Sequence, residues 1–227
     1  MESAVRNGNR RGRRSRQEIL DVAARVMAAR GYAATSISVL AGETGLPKSA
    51  FYHHFESKAG LLSAVMARGA HEFFDAMREA HRNPPEGGTP RERLAWYLHR
   101  TSETFADHQD FLRLLLALVM TNEAAEAPEV LQTIIDVRNE GRDYMRHMIH
   151  SSFSVAGEDV ASAIADELAH FAMAAFDGTF VSLQSADGKS GGELMRLLGD
   201  AMAAIGEARV AAVRAAAKSR RRTARKS

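Results

Sequence analysis

The chain has 227 residues, of which 45% are hydrophobic and 26% charged, with a formal net charge of +2 and no cysteine. That length holds one large domain or two small ones with an ample core. The missing cysteine excludes a disulfide framework and a zinc–thiolate site, and no apolar run approaches the roughly 20 residues that a membrane-spanning helix needs.

The charge is unevenly spread. Residues 1–16 carry six arginines against Glu2, and residues 209–227 carry eight lysines and arginines with no acid, so the part between is acidic. An acidic body with basic ends repels polyanions except where the basic parts sit. Residues 1–15 are rich in arginine, asparagine and glycine with little to bury, and are predicted to be a disordered basic arm. The next segment contains Glu18, Asp21 and Arg25 and does not read as a secretory signal; a reducing, cytoplasmic setting is expected.

From Gln17 to Arg30 a helix is predicted, with Ile19, Leu20, Ala23, Val26 and Met27 as its apolar stripe and Gly31 as its end. Thr35 and Ser36 suit an N-cap. Ile37, Leu40 and Ala41 then share one helical face, and Gly45 suits a left-handed helix end. Pro47 fits the first position of a following helix, in which Phe51 and Phe55 point one way while Lys48, Ser49, Tyr52 and His53 fall on the exposed side. Ser57 caps the next helix, which opens with Lys58 and Leu61-Leu62. Two short helices joined by a tight turn are the layout of a helix-turn-helix, whose second helix lies in the DNA major groove.

The stretch from Gly31 to Leu62, with its Tyr52-His53-His54-Phe55 block and the Ser57-x-x-x-Leu61-Leu62 that follows, resembles the DNA-binding domain of the TetR family of bacterial transcriptional regulators. Gly42 inside the first helix of the motif, Pro47, Ser49 and Ala50 depart from the family's usual residues, which bears on the operator sequence rather than the fold. The resemblance implies roles. Thr35 and Ser36 would bind phosphate at a helix N-terminus; Lys48, Ser49 and His53 would face base edges or nearby phosphates. Tyr52 would contact the DNA backbone, Lys58 would grip phosphate, and Ser38 would reach the groove edge. Arg14 and Arg16, with Arg10, Arg11 and Arg13, form either an arm into a narrow minor groove or a solvated tail.

Further helices are predicted over about 57–82, 91–106, 109–122, 127–153, 158–185 and 191–217, with the proline- and glycine-rich Asn83–Pro90 as the clearest linker. Nothing alternates with period two, so the fold class is all-α: a basic arm over 1–15, a helix-turn-helix head over 16–62, a helical ligand-binding and dimerisation body over 63–217 and a basic tail over 218–227. The tail either adds non-specific affinity for a polyanion or is solvated.

By the same resemblance the last two helices pack against their copy in a homodimer, which implies an interface through Ile164, Leu168, Phe180, Leu183, Leu198, Met202 and Ile205. The body is likewise expected to hold a small apolar or amphipathic effector. Candidate lining residues are Trp96, Phe105, His108, Phe111, Leu115, Met120, Tyr144, Met148, Phe171 and Phe176, although methionine and phenylalanine at helical spacing also read as plain core. The expected partners are a palindromic double-stranded operator, the effector and a second copy, with no membrane, cofactor or metal. Two alternatives stay open. One is a non-specific nucleoid-type DNA binder using the basic ends. The other is a helical metalloenzyme suggested by Glu167-Leu-Ala-His170, which would need a second Glu-x-x-His that the chain lacks. No catalytic set is evident, so enzymatic activity is not expected.

Overall fold

The computed structural model describes residues 2–121, 127–185 and 188–224, with side chains over 12–121, 127–185 and 188–219. Among the described residues every regular element is a helix: α1 Glu2–Arg30, α2 Ile37–Thr44, α3 Lys48–His54, α4 Lys58–Ala80, α5 Pro90–Glu103, α6 Gln109–Met120, α7 Pro128–Phe153, α8 Glu158–Gln184 and α9 Gly191–Ala224. The helices divide into two compact units, Met1–Asp75 with Asp107–Arg138, and Ala76–Ala106 with Asn139–Ser227, so α4 and α7 contribute residues to both.

In the first unit the predicted stripe of α1 is the core: Ile19, Leu20, Ala23, Val26 and Met27 are all buried. Gly31 stops the helix in the left-handed region (φ 83°), its N–H donating to Met27 O at 2.9 Å. The helix itself begins at Glu2, not after residue 15 as the composition predicts. Once Ile19 to Met27 are anchored, each residue added in front extends a helix without a new nucleation cost, and arginine is a good helix former. The unit is also larger than a head ending at residue 62, because α6 packs against α1. Phe111 of α6 lies so close to Gly69 of α4 that a Cβ there would stand 2.5 Å from its ring. Phe73 stacks against both Phe111 (5.8 Å) and His108 (5.6 Å).

In the second unit α5, α8, α9 and the end of α7 share a core of Leu94, Leu98, Met148, Phe153, Ile164, Leu168, Phe176, Phe180, Leu198 and Met202. A capping box starts α5: Thr89 Oγ1 accepts from Glu92 N, and the Glu92 carboxylate accepts from Thr89 N at 2.7 Å. Ser190 and Glu193 exchange the same bonds at the start of α9. Glu167 takes a bidentate pair of bonds from Arg209, tying α8 to α9. His170, next on the Glu-x-x-His segment, is exposed, and no group of three metal-ligating side chains occurs among the described residues. Helix α9 runs to Ala224 where a tail was predicted from 218, since the alanine-rich Ala211–Ala217 carries the helix onward; residues 225–227 lie outside the described residues. No described helix is long and apolar enough to cross a membrane.

Candidate nucleic-acid interface and ligand cavity

The α2–turn–α3 segment is built by its caps. Ser36 is the N-cap of α2 in extended backbone, its hydroxyl accepting from Val39 N at 3.2 Å. Gly45 ends α2 in the left-handed region (φ 70°), and Thr44 Oγ1 donates to Leu40 O at 2.9 Å and accepts from Leu46 N at 3.2 Å. Pro47 stands at the N-cap of α3 rather than at its first helical position; its ring fixes φ near −67°, and its ψ of 149° starts the helix without a side-chain cap. Phe51 and Phe55 are buried as predicted, which leaves Lys48, Ser49, Tyr52 and His53 exposed on α3, Tyr52 at 60%. Ser36 and Ser38 are exposed as well.

Thr35 is a correction. It is fully buried, and its hydroxyl donates to Gly31 O at 2.8 Å, so the side chain braces the turn between α1 and α2 and is not offered to solvent. Lys58 is half-buried: its Nζ lies 4.0 Å from the centre of the Tyr32 ring and 3.4 Å from Ala33 O, fastening the start of α4 to that same turn. Arg16 is exposed but sits over the Phe55 ring at 5.3 Å, and Arg14 is exposed on α1. Both therefore belong to a helix instead of a loose arm, while the Arg10 and Arg11 side chains lie outside the described residues. Ion pairs from Arg25 and Arg30 to Glu43 lash α1 to α2, and Arg68 binds Asp21 at 2.6 Å to hold α4 to α1. His54, half-buried beside His53 and Arg16, is held below the usual histidine range by its burial first and by those two neighbours second.

The second unit holds a cavity of about 500 Å³. Arg78 of α4, His81, Arg82 and Pro84 after it, Arg93 and Tyr97 of α5, and Tyr144, His147, Met148 and Ser151 of α7 line it. Only Tyr144 and Met148 of the ten predicted lining residues are among them. Trp96 stacks behind on Tyr97 and His81. Phe105 and Phe176 pack on each other at 5.1 Å in the core, and His108, Phe111 and Leu115 belong to the first unit. Met120 and Phe171 are exposed, at 79% and 43%. The sequence reading weighted apolar side chains, which helical spacing sends to the core. The missed lining is arginine and histidine, signalled only by the four-residue spacing of Arg78 and Arg82.

His81 organises the cavity wall. Its Nε2 lies 2.9 Å from Tyr97 O, which can only accept, so Nε2 carries the proton. Nδ1 then accepts from the Tyr144 hydroxyl at 2.7 Å. Thr101 Oγ1 donates to the same Tyr97 carbonyl at 2.9 Å. Burial lowers the His81 pKa against the rise from its bond to Tyr97 O, and Arg100 lowers it further. Burial, followed by Tyr97, pushes Tyr144 up to about 12, so its proton stays on.

The predicted dimer residues fare differently from one another. Ile164, Leu168, Phe180, Leu198 and Met202 are buried in the unit's own core and are corrected as intrachain packing; Leu183 is half-buried and Ile205 is 37% exposed. Helical periodicity marks an apolar face but does not tell a covered face from an uncovered one. The exposed rows are Phe171, Ala174, Gly178 and Val181 on α8, and Leu197, Ala204, Ile205 and Ala208 on α9.

A buried three-helix head that leaves one short helix's polar side to solvent defines a helix-turn-helix protein. Residues 19–65 match the family model of bacterial regulatory proteins, tetR family. The chain is 31% identical over 151 residues to the HTH-type transcriptional regulator YerO of Bacillus subtilis (strain 168), an alignment covering 66% of this chain and 50% of that protein, so the chain spans about half the length of this curated relative. A transcriptional regulator of Saccharomonospora viridis in complex with choline has a similar fold, with a TM-score of 0.66 at 24% identity, over 82% of this chain and 94% of that one. So does the transcriptional regulator FadR of Bacillus subtilis in complex with stearoyl-CoA, with a TM-score of 0.62 at 18% identity, over 82% and 97%. Over residues 19–65, its helix-turn-helix head, the chain is similar to the TetR family.

Proposed function

We propose that this chain is a ligand-responsive transcriptional regulator that binds a palindromic operator as a homodimer and represses until a small effector releases it. The observation that supports it most is the row Lys48, Ser49, Tyr52 and His53, exposed on α3 while Phe51 and Phe55 anchor that helix from below. Positive charge for phosphate and hydroxyl and imidazole groups for base edges are the contacts a recognition helix makes. Ser36 and Ser38 supply further donors from α2, and Arg14 and Arg16 supply positive charge from α1. Thr35 and Lys58 act through the turn they brace. The exposed rows on α8 and α9 are the surface offered to a second copy, and a two-fold axis there sets two half-sites about one helical turn, or a multiple of it, apart.

The effector reading rests on the cavity and on regulators of similar fold whose structures hold choline and stearoyl-CoA. Helix α4 begins at the head and ends beside Arg78 and His81, so a ligand with a preference for one placement of that helix shifts the population competent for DNA. Selection of bound duplexes from a random pool tests the reading. Recovery of one palindrome supports it; recovery with no sequence preference and a steep salt dependence identifies a non-specific binder instead.

A further inference from the structure

We propose that the cavity of the second unit takes an organic oxyanion, a carboxylate or phosphate on a small apolar or aromatic body, seated by Arg93 with Arg78 and Arg82. This rests on the ligand-responsive reading and names the class of ligand. Three arginines line the cavity and no aspartate or glutamate does. Arg78 and Arg82 have carboxylate neighbours, Glu140 and Glu79, but the first pair is about half exposed to water and the second about two thirds, where exchange for another anion costs little. Arg93 differs. Its Nε is buried with no hydrogen-bond partner among the described residues, and its Nη1 reaches only Ser154 Oγ at 3.5 Å. A buried guanidinium N–H without an acceptor is costly, and a planar oxyanion with two oxygens matches its fork.

The other lining groups fit the rest of such a ligand. The Tyr144 proton is committed to His81 Nδ1, so this hydroxyl has no hydrogen bond to donate to the oxyanion, whose charge is left to the arginines. Tyr97, Met148 and Pro84 offer the apolar wall. A cavity of about 500 Å³ suits a compact molecule. A quaternary ammonium such as choline would meet three guanidiniums with no carboxylate among the lining residues, so cations are disfavoured here.

The test compares phenylacetate, phenyl phosphate, phenethyl alcohol, phenethylamine and inorganic phosphate on the full chain at millimolar concentration, by thermal shift and titration calorimetry. The two aromatic acids are expected to bind and stabilise, and the better of the two tells carboxylate from phosphate. Arg93→Met should weaken them about tenfold or more, the loss of one charge-assisted hydrogen bond. Arg82→Met, on an exposed side chain, should weaken them less. Equal binding of the alcohol or the amine, no binding by any probe, inorganic phosphate binding as well as phenyl phosphate, or acid affinity unchanged in both variants would each overturn the proposal. DNA affinity measured in parallel separates the two readings. Charge-blind ligands that release DNA leave ligand response standing without the oxyanion site, whereas acids that bind at Arg93 and leave DNA affinity unchanged remove the response and keep the site.

Discussion

His81 links burial to a measurable pH response. Its folded pKa is lowered, chiefly by burial, so the unfolded chain binds a proton first as the solution is acidified. The stability that neutral His81 contributes is complete above about pH 6.5, the ordinary histidine value, and is lost as pH falls from there through the lowered folded pKa. His81→Gln should flatten that part of the profile of melting temperature against pH; an unchanged slope would place the response elsewhere. Gly42 makes the opposite case. It is exposed in the middle of α2, has helical backbone, and a Cβ built on it meets nothing within 4 Å. Gly42→Ala is therefore expected to stabilise the chain by about 0.5–1 kcal/mol in denaturant unfolding. Single residues were legible in the sequence when their chemistry is local, as with the Ser36 cap and the Gly31 and Gly45 helix ends. Thr35 was not, because capping chemistry suits either of two adjacent hydroxyl residues and only the fold shows that one of them turns inward to Gly31 O.

Elements were more legible than their neighbours in space. The boundaries of α4 to α8 lie close to those read from periodicity, because long apolar stripes and the Asn83–Pro90 break are strong local signals. The ends of α1 and α9 were missed because composition there argues against a core, while an anchored helix needs no core to propagate. Packing between elements leaves even less trace in one sequence. Gly206 of α9 reads as an ordinary small residue, yet its Cβ would stand 2.1 Å from the ring of Phe153, which is fully buried at the end of α7. Gly206→Ala is expected to destabilise the chain by about 1–3 kcal/mol, since neither the ring nor the helix can withdraw without cost; a melting temperature equal to wild type would show that the contact yields.

At the scale of the whole molecule, the proposed function needs a head that reads DNA, a cavity that takes an effector and a pair of helices that recruits a second copy. The exposed rows on α8 and α9 are rich in alanine and glycine beside Phe171, Val181, Leu197 and Ile205, a surface that lets helices approach closely. Phe171→Asp with Leu197→Asp should convert the proposed dimer to a monomer in analytical ultracentrifugation, with helicity retained; a dimer that survives both would move the interface away from these helices. The whole-molecule roles came from family resemblance more than from any one residue, because a partner surface and a core face share the same periodicity. The most direct measurement is fluorescence anisotropy of the protein on the DNA upstream of its own gene, near physiological salt with excess unrelated competitor. The account predicts tight binding that survives the competitor and is lost in Lys48→Ala with Tyr52→Ala while the fold is retained. Specific binding that those two changes leave intact would contradict α3 as the reading helix.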